Sequence, residues 1–368
     1  MFRRTPFRRT PLALIGGTAL VALALSACAA APEPGSTDEA EAPDFLPCAV
    51  SDLTGFDDND FNELTFTGVQ EAAAEIGVEA RGAESSSEDQ YSGNIGTLVD
   101  EGCDLIVTVG FALANATRDS ALVNEGVNFA LIDSAVTNDD FSPLVLDNVK
   151  PVLFDTAQAA ALAGYVAAGA STTGVVGTYG GMPFPSVTVF MDGFQIGIEH
   201  YNEVHGTDVQ LLGWDRAAQN GLFVGSFDDQ LQAKNITLGL LDQGADVIMP
   251  VAGTLFIASI DAVDEQGTNA AIIGVNSDAV VTAPEYSAYM LTSVMKNLTT
   301  ATREVTLASF EGGFSSDPYV GTLENGGVGI APFHDWESKL DPALIAEVEA
   351  LQLAIIAGEF VVDSPSSP

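Results

Sequence analysis

The stretch Cys48-Ala-Val-Ser-Asp-Leu-Thr-Gly-Phe-Asp-Asp-Asn-Asp-Phe-Asn62 contains the change of pattern that decides the fold. It opens with a short apolar run suited to a buried strand, breaks at a polar, glycine-containing turn, and ends where apolar residues begin to recur at helical spacing. Over Phe61–Ile76 an inward stripe is expected from Phe61, Leu64, Val69, Ala72, Ala73 and Ile76, and Gly77 stands where a left-handed C-cap ends a helix. Strand, turn and helix in that order form the repeating half of a parallel sheet with crossover helices. Strand candidates follow over 48–52, 78–83, 104–109, 127–133 and 144–148, then in a second series over 174–179, 209–213, 245–251 and 271–275. Helical patterns fill the gaps, among them 154–168 and 185–202, the latter with Pro185 in its first turn. Two series of this kind predict an α/β protein of two doubly wound lobes.

The chain has 368 residues, enough for two cored domains, and 47% are hydrophobic, which argues against disorder. Its 12 Lys and Arg against 51 Asp and Glu leave a net charge of −39, which repels phosphate backbones and excludes nucleic acid as a partner. Arg3, Arg4, Arg8 and Arg9 precede an apolar run over 12–25 that ends in Leu25-Ser-Ala-Cys28. A basic start and a short apolar run read as a secretory signal rather than a membrane span. The small residues before Cys28 resemble a bacterial lipobox, whose Cys is lipidated and becomes the new N-terminus; an ordinary cleaved signal that contains a Cys is the alternative. Residues 1–27 are then a signal peptide and 28–44, rich in Ala, Pro, Glu and Ser, a flexible tether to the extracytoplasmic face of the cell membrane. Cys48 and Cys103 each open an apolar run, so a bridge between adjacent parallel strands is geometrically reasonable; two buried free thiols are the other possibility.

Ligands of such sheets sit outside the carboxyl ends of the strands. The residues found there are 53–62, Gly110 and Phe111, Asp133, 180–185, 225–229, 252–254 and 276–278, dominated by glycine, phenylalanine and carboxyl or carboxamide side chains. No Gly-Lys pair, Gly-x-Ser-x-Gly elbow, His-Glu-x-x-His or Gly-x-Gly-x-x-Gly occurs. His200 and His205 are five apart, on different helix faces, which suits a solvated role better than a metal site. Asp57-Asp58-Asn59-Asp60 lacks the alternating ligands and central glycine of a calcium loop and reads as an acidic turn and N-cap. Binding without catalysis, metal or cofactor is expected.

These strand-end residues carry a resemblance. Thr54-Gly-Phe-Asp-Asp-Asn-Asp-Phe-Asn62 with Gly68, Asp104-Leu-Ile-Val-Thr-Val-Gly-Phe111, 129–133 and Ala161-Leu-Ala-Gly-Tyr-Val-Ala167 are similar to motifs of the basic membrane protein family. So are Gly180-Gly-Met-Pro-Phe-Pro-Ser-Val187 leading to Phe190 and Phe194, Gly225-Ser-Phe-Asp-Asp229, Gly274-Val-Asn-Ser-Asp278 and Thr292-Ser-Val-Met-Lys296. These are lipoprotein substrate-binding components of ABC transporters and include purine nucleoside receptors. The resemblance implies a type I periplasmic-binding-protein fold, two Rossmann-like lobes with parallel sheets joined by hinge crossings. Expected boundaries are 45–149 with 278–312 for the first lobe, 150–277 with 313–358 for the second, and a tail over 359–368.

In nucleoside-binding members two aromatic rings sandwich the base while acids and a Lys hold the ribose. Carried over, the sandwich falls on Phe61 and Phe227, with Asn62 and one of Asp57 or Asp58 near the base edge. Asp133, Gly253, Asn276, Asp278 and Lys296 fall around the sugar. Core packing for the two rings, a capping role for Asp133 and a surface role for Lys296 are the bland alternatives. The sequence departs from the family at Asn276, usually Asp, at Thr254-Leu255, usually richer in Gly, and over 214–223, which is longer and brings two aromatics near the cleft. The expected protein is a monomeric, lipid-anchored receptor that passes a nucleoside to ABC permease subunits. A flavin or other aromatic or sugar-like solute, and an enzyme cleaving N-glycosidic bonds, are the competing readings.

Overall fold

The computed structural model describes residues 43–368. The signal peptide, Cys28 and all but the last two residues of the tether lie outside them. The first series of strands is β1 (Pro47–Val50), β2 (Arg81–Ala83), β3 (Leu105–Val109), β4 (Asn128–Ile132) and β5 (Val149–Phe154), with helices α1 (Phe61–Ile76), α2 (Tyr91–Asp100) and α3 (Ala114–Val123) between them. After α4 (Thr156–Ala170) come β6 (Val175–Gly180), α5 (Pro185–His205), β7 (Gln210–Leu212), a hairpin of β8 (Trp214–Asp215) and β9 (Asn220–Gly221), α6 (Gln230–Asp242), β10 (Val247–Val251), α7 (Phe256–Gln266), β11 (Ala271–Asn276), the short α8 (Ala279–Thr282) and β12 (Met290–Lys296). The chain closes with α9 (Leu298–Phe310), β13 (Tyr319–Gly321), β14 (Val328–Ile330) and α10 (Pro342–Ile356).

Two six-stranded sheets result, ordered β13-β5-β4-β3-β1-β2 and β14-β12-β11-β10-β6-β7. All pairings are parallel except that of β14 with β12. The doubly wound lobes are therefore present, but the chain changes lobe later than expected. Residues 150–154 complete the first sheet, and β12, placed with the first lobe by its position in the chain, pairs in the second. Helix α9 packs on α1, whereas α4 packs on α5. Crossings thus follow β5, follow β12, and separate β13 from β14. Hydropathy marks a strand as buried but does not say in which sheet it finds partners.

The expected strand over 144–148 is a loop. Its alternation is real, with Leu144 and Leu146 half-buried and Val145 exposed, but the Asn148 amide donates to the carbonyls of Ala121 (3.1 Å), Asn124 (3.2 Å) and Val127 (3.1 Å) and fixes a turn. The strand begins one residue later. Cys48 and Cys103 are bonded, Cα to Cα 6.1 Å. In α1 the buried positions are Asn62, Thr65, Gly68, Val69, Ala72 and Ala73, so the stripe is rotated from the expected one and leaves Phe61, Leu64 and Ile76 half-buried.

Close helix contact makes the second lobe stiff. Twelve of the fifteen residues of α4 are buried, which makes it a core helix rather than a surface one. A Cβ on Gly197 would lie 2.0 Å from the Ala161 carbonyl oxygen, one on Gly193 2.3 Å from that of Ala157, and one on Gly164 2.1 Å from that of Phe194, so α4 and α5 meet backbone to backbone. Trp214, expected near the cleft, instead turns into the core, where its Nε1 donates to the buried Asp192 (2.9 Å). His205 is not simply solvated: its Nε2 sits 2.8 Å from Glu347, and the His200 ring packs 4.3 Å from that of Phe360. The 359–368 tail is tied down, Ser364 donating to Asp192 (2.6 Å) and Ser367 to Asp155 (2.8 Å) at the first crossing.

Candidate functional site

Gly110 (φ 93°) after β3, Asp133 (φ 59°) after β4, Gly253 (φ 56°) beyond β10 and Asn276 (φ 64°) at the end of β11 all adopt left-handed conformations. Glycine enters that region freely, and Asn and Asp are the side chains that tolerate it best. The turns that bring the Asp133 and Asn276 side chains to the gap between the lobes therefore also restrict which residues can stand there.

Lys296, the last residue of β12, forms an ion pair with Asp133. The two come from opposite lobes and their side chains are 2% and 7% exposed, so the pair is shut off from water. The Lys296 ammonium lies 4.7 Å from the centre of the Phe190 ring and 5.8 Å from that of Phe61. Burial pushes the Asp133 carboxyl upward from its ordinary range, against the pull of Lys296. Neither residue is a surface group or a cap.

The acidic turn divides its labour. Asp58 accepts from the backbone N–H groups of Asp60, Asn62 and Glu63 (3.0 Å each), satisfying the unpaired donors at the start of α1. Asn62 is fully buried; its amide donates to Asp52 (2.9 Å), Thr54 (2.8 Å) and Asp58 (2.9 Å), and its oxygen accepts from the Asp52 N–H (3.0 Å). Asp57 is exposed. The acid that enters the gap is Asp60, which accepts from Asn276 Nδ2 (2.7 Å) and Ser277 Oγ (3.2 Å) of the other lobe. It lines a cavity of about 220 Å³ with Gly253, Thr254, Ser277, Thr282 and Glu285 among others. Burial, with a smaller push from Asp58 and against the bonds from Asn276 and Ser277, raises its pKa to about 7. Nothing in the sequence separates Asp60 from Asp57 and Asp58; only its packing does. Asp278 caps α8 by accepting from the Val280 N–H (3.0 Å) and pairs with His334 Nε2 (2.8 Å). A larger hollow of about 630 Å³ lies away from the cleft at the edge strand β2, beside Leu46, Arg81 and Leu98.

Phenyl rings complete the gap. Phe111 of the first lobe stacks on Phe184 of the second, centres 5.0 Å apart, and Phe227 lies 6.2 Å from Phe184 and across Gly181. Phe61 lies against Gly110. Phe61 and Phe227 are both half-buried and do not pair with each other. Phe184 stands within the stretch Gly180-Gly-Met-Pro-Phe-Pro-Ser-Val187, but its pairing with Phe111 depends on how the lobes meet.

Two parallel-sheet lobes that bring strand-end acids, amides, a lysine and phenyl rings together across a gap define a solute-binding protein of the periplasmic-binding-protein fold. The chain belongs to the family described as Bmp, ABC transporter substrate-binding protein PnrA-like, whose pattern matches residues 46–364. It is thus a substrate-binding component of an ABC transporter, a class that binds rather than transforms its solute. It is similar to basic membrane protein A of Borreliella burgdorferi, 28% identical over 316 residues that cover 84% of this chain and 85% of that one. It is also similar to the ABC transporter nucleoside-binding protein BmpA of Lactococcus lactis, 24% identical over 333 residues, 86% and 90% of the two chains. A lipoprotein of Pyrococcus abyssi is 29% identical over 260 residues, 68% of this chain and 61% of that one. Among solved structures, an ABC transporter solute-binding protein from Aeropyrum pernix superposes with a TM-score of 0.75 at 25% identity, covering 87% of this chain and 94% of its own.

Proposed function

We propose that this protein captures a nucleoside, with purine nucleosides first among them, and passes it to the permease subunits of an ABC importer, held at the extracytoplasmic face of the membrane by a lipid on Cys28. In this reading the base lies between Phe61 and Phe227, bordered by the 57–60 loop that Asp58 and Asn62 hold in shape. The ribose lies among Asp133, Lys296, Gly253, Asn276 and the turn at Asp278. Stacking contributes roughly 1 to 3 kcal/mol per ring, and each hydroxyl donated to a carboxylate about 1.5 to 3 kcal/mol. The observation that carries the reading is the buried Asp133–Lys296 pair beside phenyl rings. A carboxylate and an ammonium facing each other across the gap can part to receive vicinal hydroxyls, the acid accepting and the ammonium donating. Protein and ligand act as a monomeric trap, without covalent chemistry. Titration calorimetry of the purified protein with inosine, guanosine, adenosine, uridine, ribose and riboflavin tests this. Micromolar or tighter binding of at least one nucleoside is expected, and silence from all of them sinks it.

A further inference from the structure

Cations are scarce in this molecule, and their placement decides the protonation of the cleft. Among the described residues eight are basic. Arg81 pairs with Glu79, Arg118 with Asp119 and Asp139, Arg216 with Glu199, Lys234 with Glu265 and Arg303 with Glu75. Lys150 donates to the carbonyls of Ser315 and Asp317, and Lys339 sits over the Trp336 ring. Lys296 alone reaches the cleft, and it is committed to Asp133. Asp60, the other buried carboxyl there, has only an amide and a hydroxyl as partners.

A carboxylate enclosed without its own cation is costly, whereas the neutral acid fits both neighbours. Its Oδ2 accepts from Asn276 and a proton on Oδ1 can be donated to Ser277. The charged groups around it are Asp58 and Glu63 on its own segment, Lys296 with Asp133 from the strand ends, Asp278 with His334 on the turn that carries Ser277, and Glu285 on the cavity wall. Most are anions and favour the protonated form. Were the lobes to part, Asp60 would lose both partners and meet water at the start of α1, and a solvated carboxyl is ionised at neutral pH.

We propose that Asp60 is a positioning residue for solute capture: closing the cleft seats its carboxyl on Asn276 and Ser277 and takes up a proton, so that capture tightens as the medium is acidified. The inference rests on the reading of the cleft as a closing trap, not on which solute it takes. The sign follows from proton counting. The closed state, where the group titrates at about 7, binds the proton more tightly than the open one. The gain is complete below the open-state pKa and is lost as pH rises through the closed-state value. Asp60 alone then makes the closed-to-open ratio fall about tenfold per pH unit between roughly pH 5 and 7, and its contribution levels off above that.

The test is electron-spin distance measurement on the ligand-free full chain, with labels carried on p-acetylphenylalanine at Leu122 of α3 and Val204 of α5, both exposed and on different lobes. From pH 8 to pH 5 the closed population of the unmutated chain is expected to rise, and Asp60→Asn, which keeps the shape but cannot titrate, to rise distinctly less, the slope that remains belonging to the buried Asp133. A flat profile in the unmutated chain, or an unchanged slope in the variant, overturns the proposal. Calorimetry with inosine at pH 6 in two buffers of different ionisation heat adds a second reading: close to one proton more taken up per inosine by the unmutated chain than by Asp60→Asn. Absence of inosine binding would count against the nucleoside reading alone, because the ligand-free profile still decides the role of Asp60.

Discussion

Asp133 and Asn276 occupy matching places in the two lobes. Each ends the third strand of an identically ordered sheet, each is left-handed, and each holds the opposite lobe, Asp133 through Lys296 and Asn276 through Asp60. The gap is thus fastened twice by the same device, once with a charge pair and once with an amide on an acid.

Replacing Asp133 separates backbone from charge. Asp133→Ala forces a residue with a Cβ and no local polar group into the left-handed region and is expected to lower unfolding free energy by about 1 to 2 kcal/mol in urea titrations. Asp133→Asn, which tolerates that conformation, is expected to cost little by the same measure. Both leave Lys296 without its partner, but the lobes can part and rehydrate it, so that loss appears as an opened cleft rather than as unfolding.

Two glycine substitutions are expected to act in opposite directions. Gly197→Ala places a methyl group 2.0 Å from a carbonyl oxygen of α4 and will push two core helices apart, costing about 2 to 4 kcal/mol. Gly239→Ala, in the exposed interior of α6 with nothing within 4 Å of its Cβ, will stabilise by about 0.5 to 1 kcal/mol. Thermal unfolding distinguishes them by sign.

Asp246 gives a pH signature outside the cleft. Burial raises its carboxyl, but the hydroxyls of Ser171 (2.6 Å) and Thr172 (2.7 Å) and the N–H groups of Thr172 (2.7 Å) and Thr173 (3.0 Å) outweigh that and hold it below the ordinary range. A depressed carboxyl stabilises above its unfolded pKa and loses that contribution as pH falls through the folded value. Asp246→Asn is expected to cost about 1 to 2 kcal/mol at pH 7, discounted for solvent contact, with the difference shrinking below about pH 4 in denaturant titrations.

The Cys48–Cys103 bridge closes a separation of 55 residues. Its removal by Cys48→Ser with Cys103→Ser is expected to lower stability by about 4 kcal/mol in the chain-entropy account. Hydrogen exchange will locate the loss in the first lobe, where β1 and β3 are neighbours.

For the proposed base site, Phe61→Ala and Phe227→Ala are each expected to weaken inosine binding by about 5- to 150-fold, with folding intact by circular dichroism. Unchanged affinity in both would remove the aromatic sandwich from the reading.

The doubly wound lobes were legible because buried parallel strands leave dense β-branched runs, as in Leu105–Val109 and Val247–Val251, that local pattern reveals. The strand ends were legible for the same reason, since they fall where those runs stop. The destination of β5 and β12 was not, because both are ordinary buried strands and only long-range pairing assigns them to a lobe. Within the cleft, the pairing of Lys296 with Asp133 could not be read from residues 163 apart. Nor could the exchange of roles within Asp57-Asp58-Asn59-Asp60, where one turn of backbone decides which acid caps a helix and which crosses to the other lobe.

The backbone contact between α4 and α5 bears on how the protein moves. A lobe in which two long core helices touch main chain to main chain has no compliant layer between them to absorb a push, so it turns as a solid lever. The flexing is left to the three short crossings, where Asp155 N–H reaches Gly321 (2.8 Å) and Asn297 N–H reaches Gly327 (2.8 Å) and so ties all three together. Loosening any one of those ties is expected to change how long cargo stays aboard while leaving the walls that recognise it untouched.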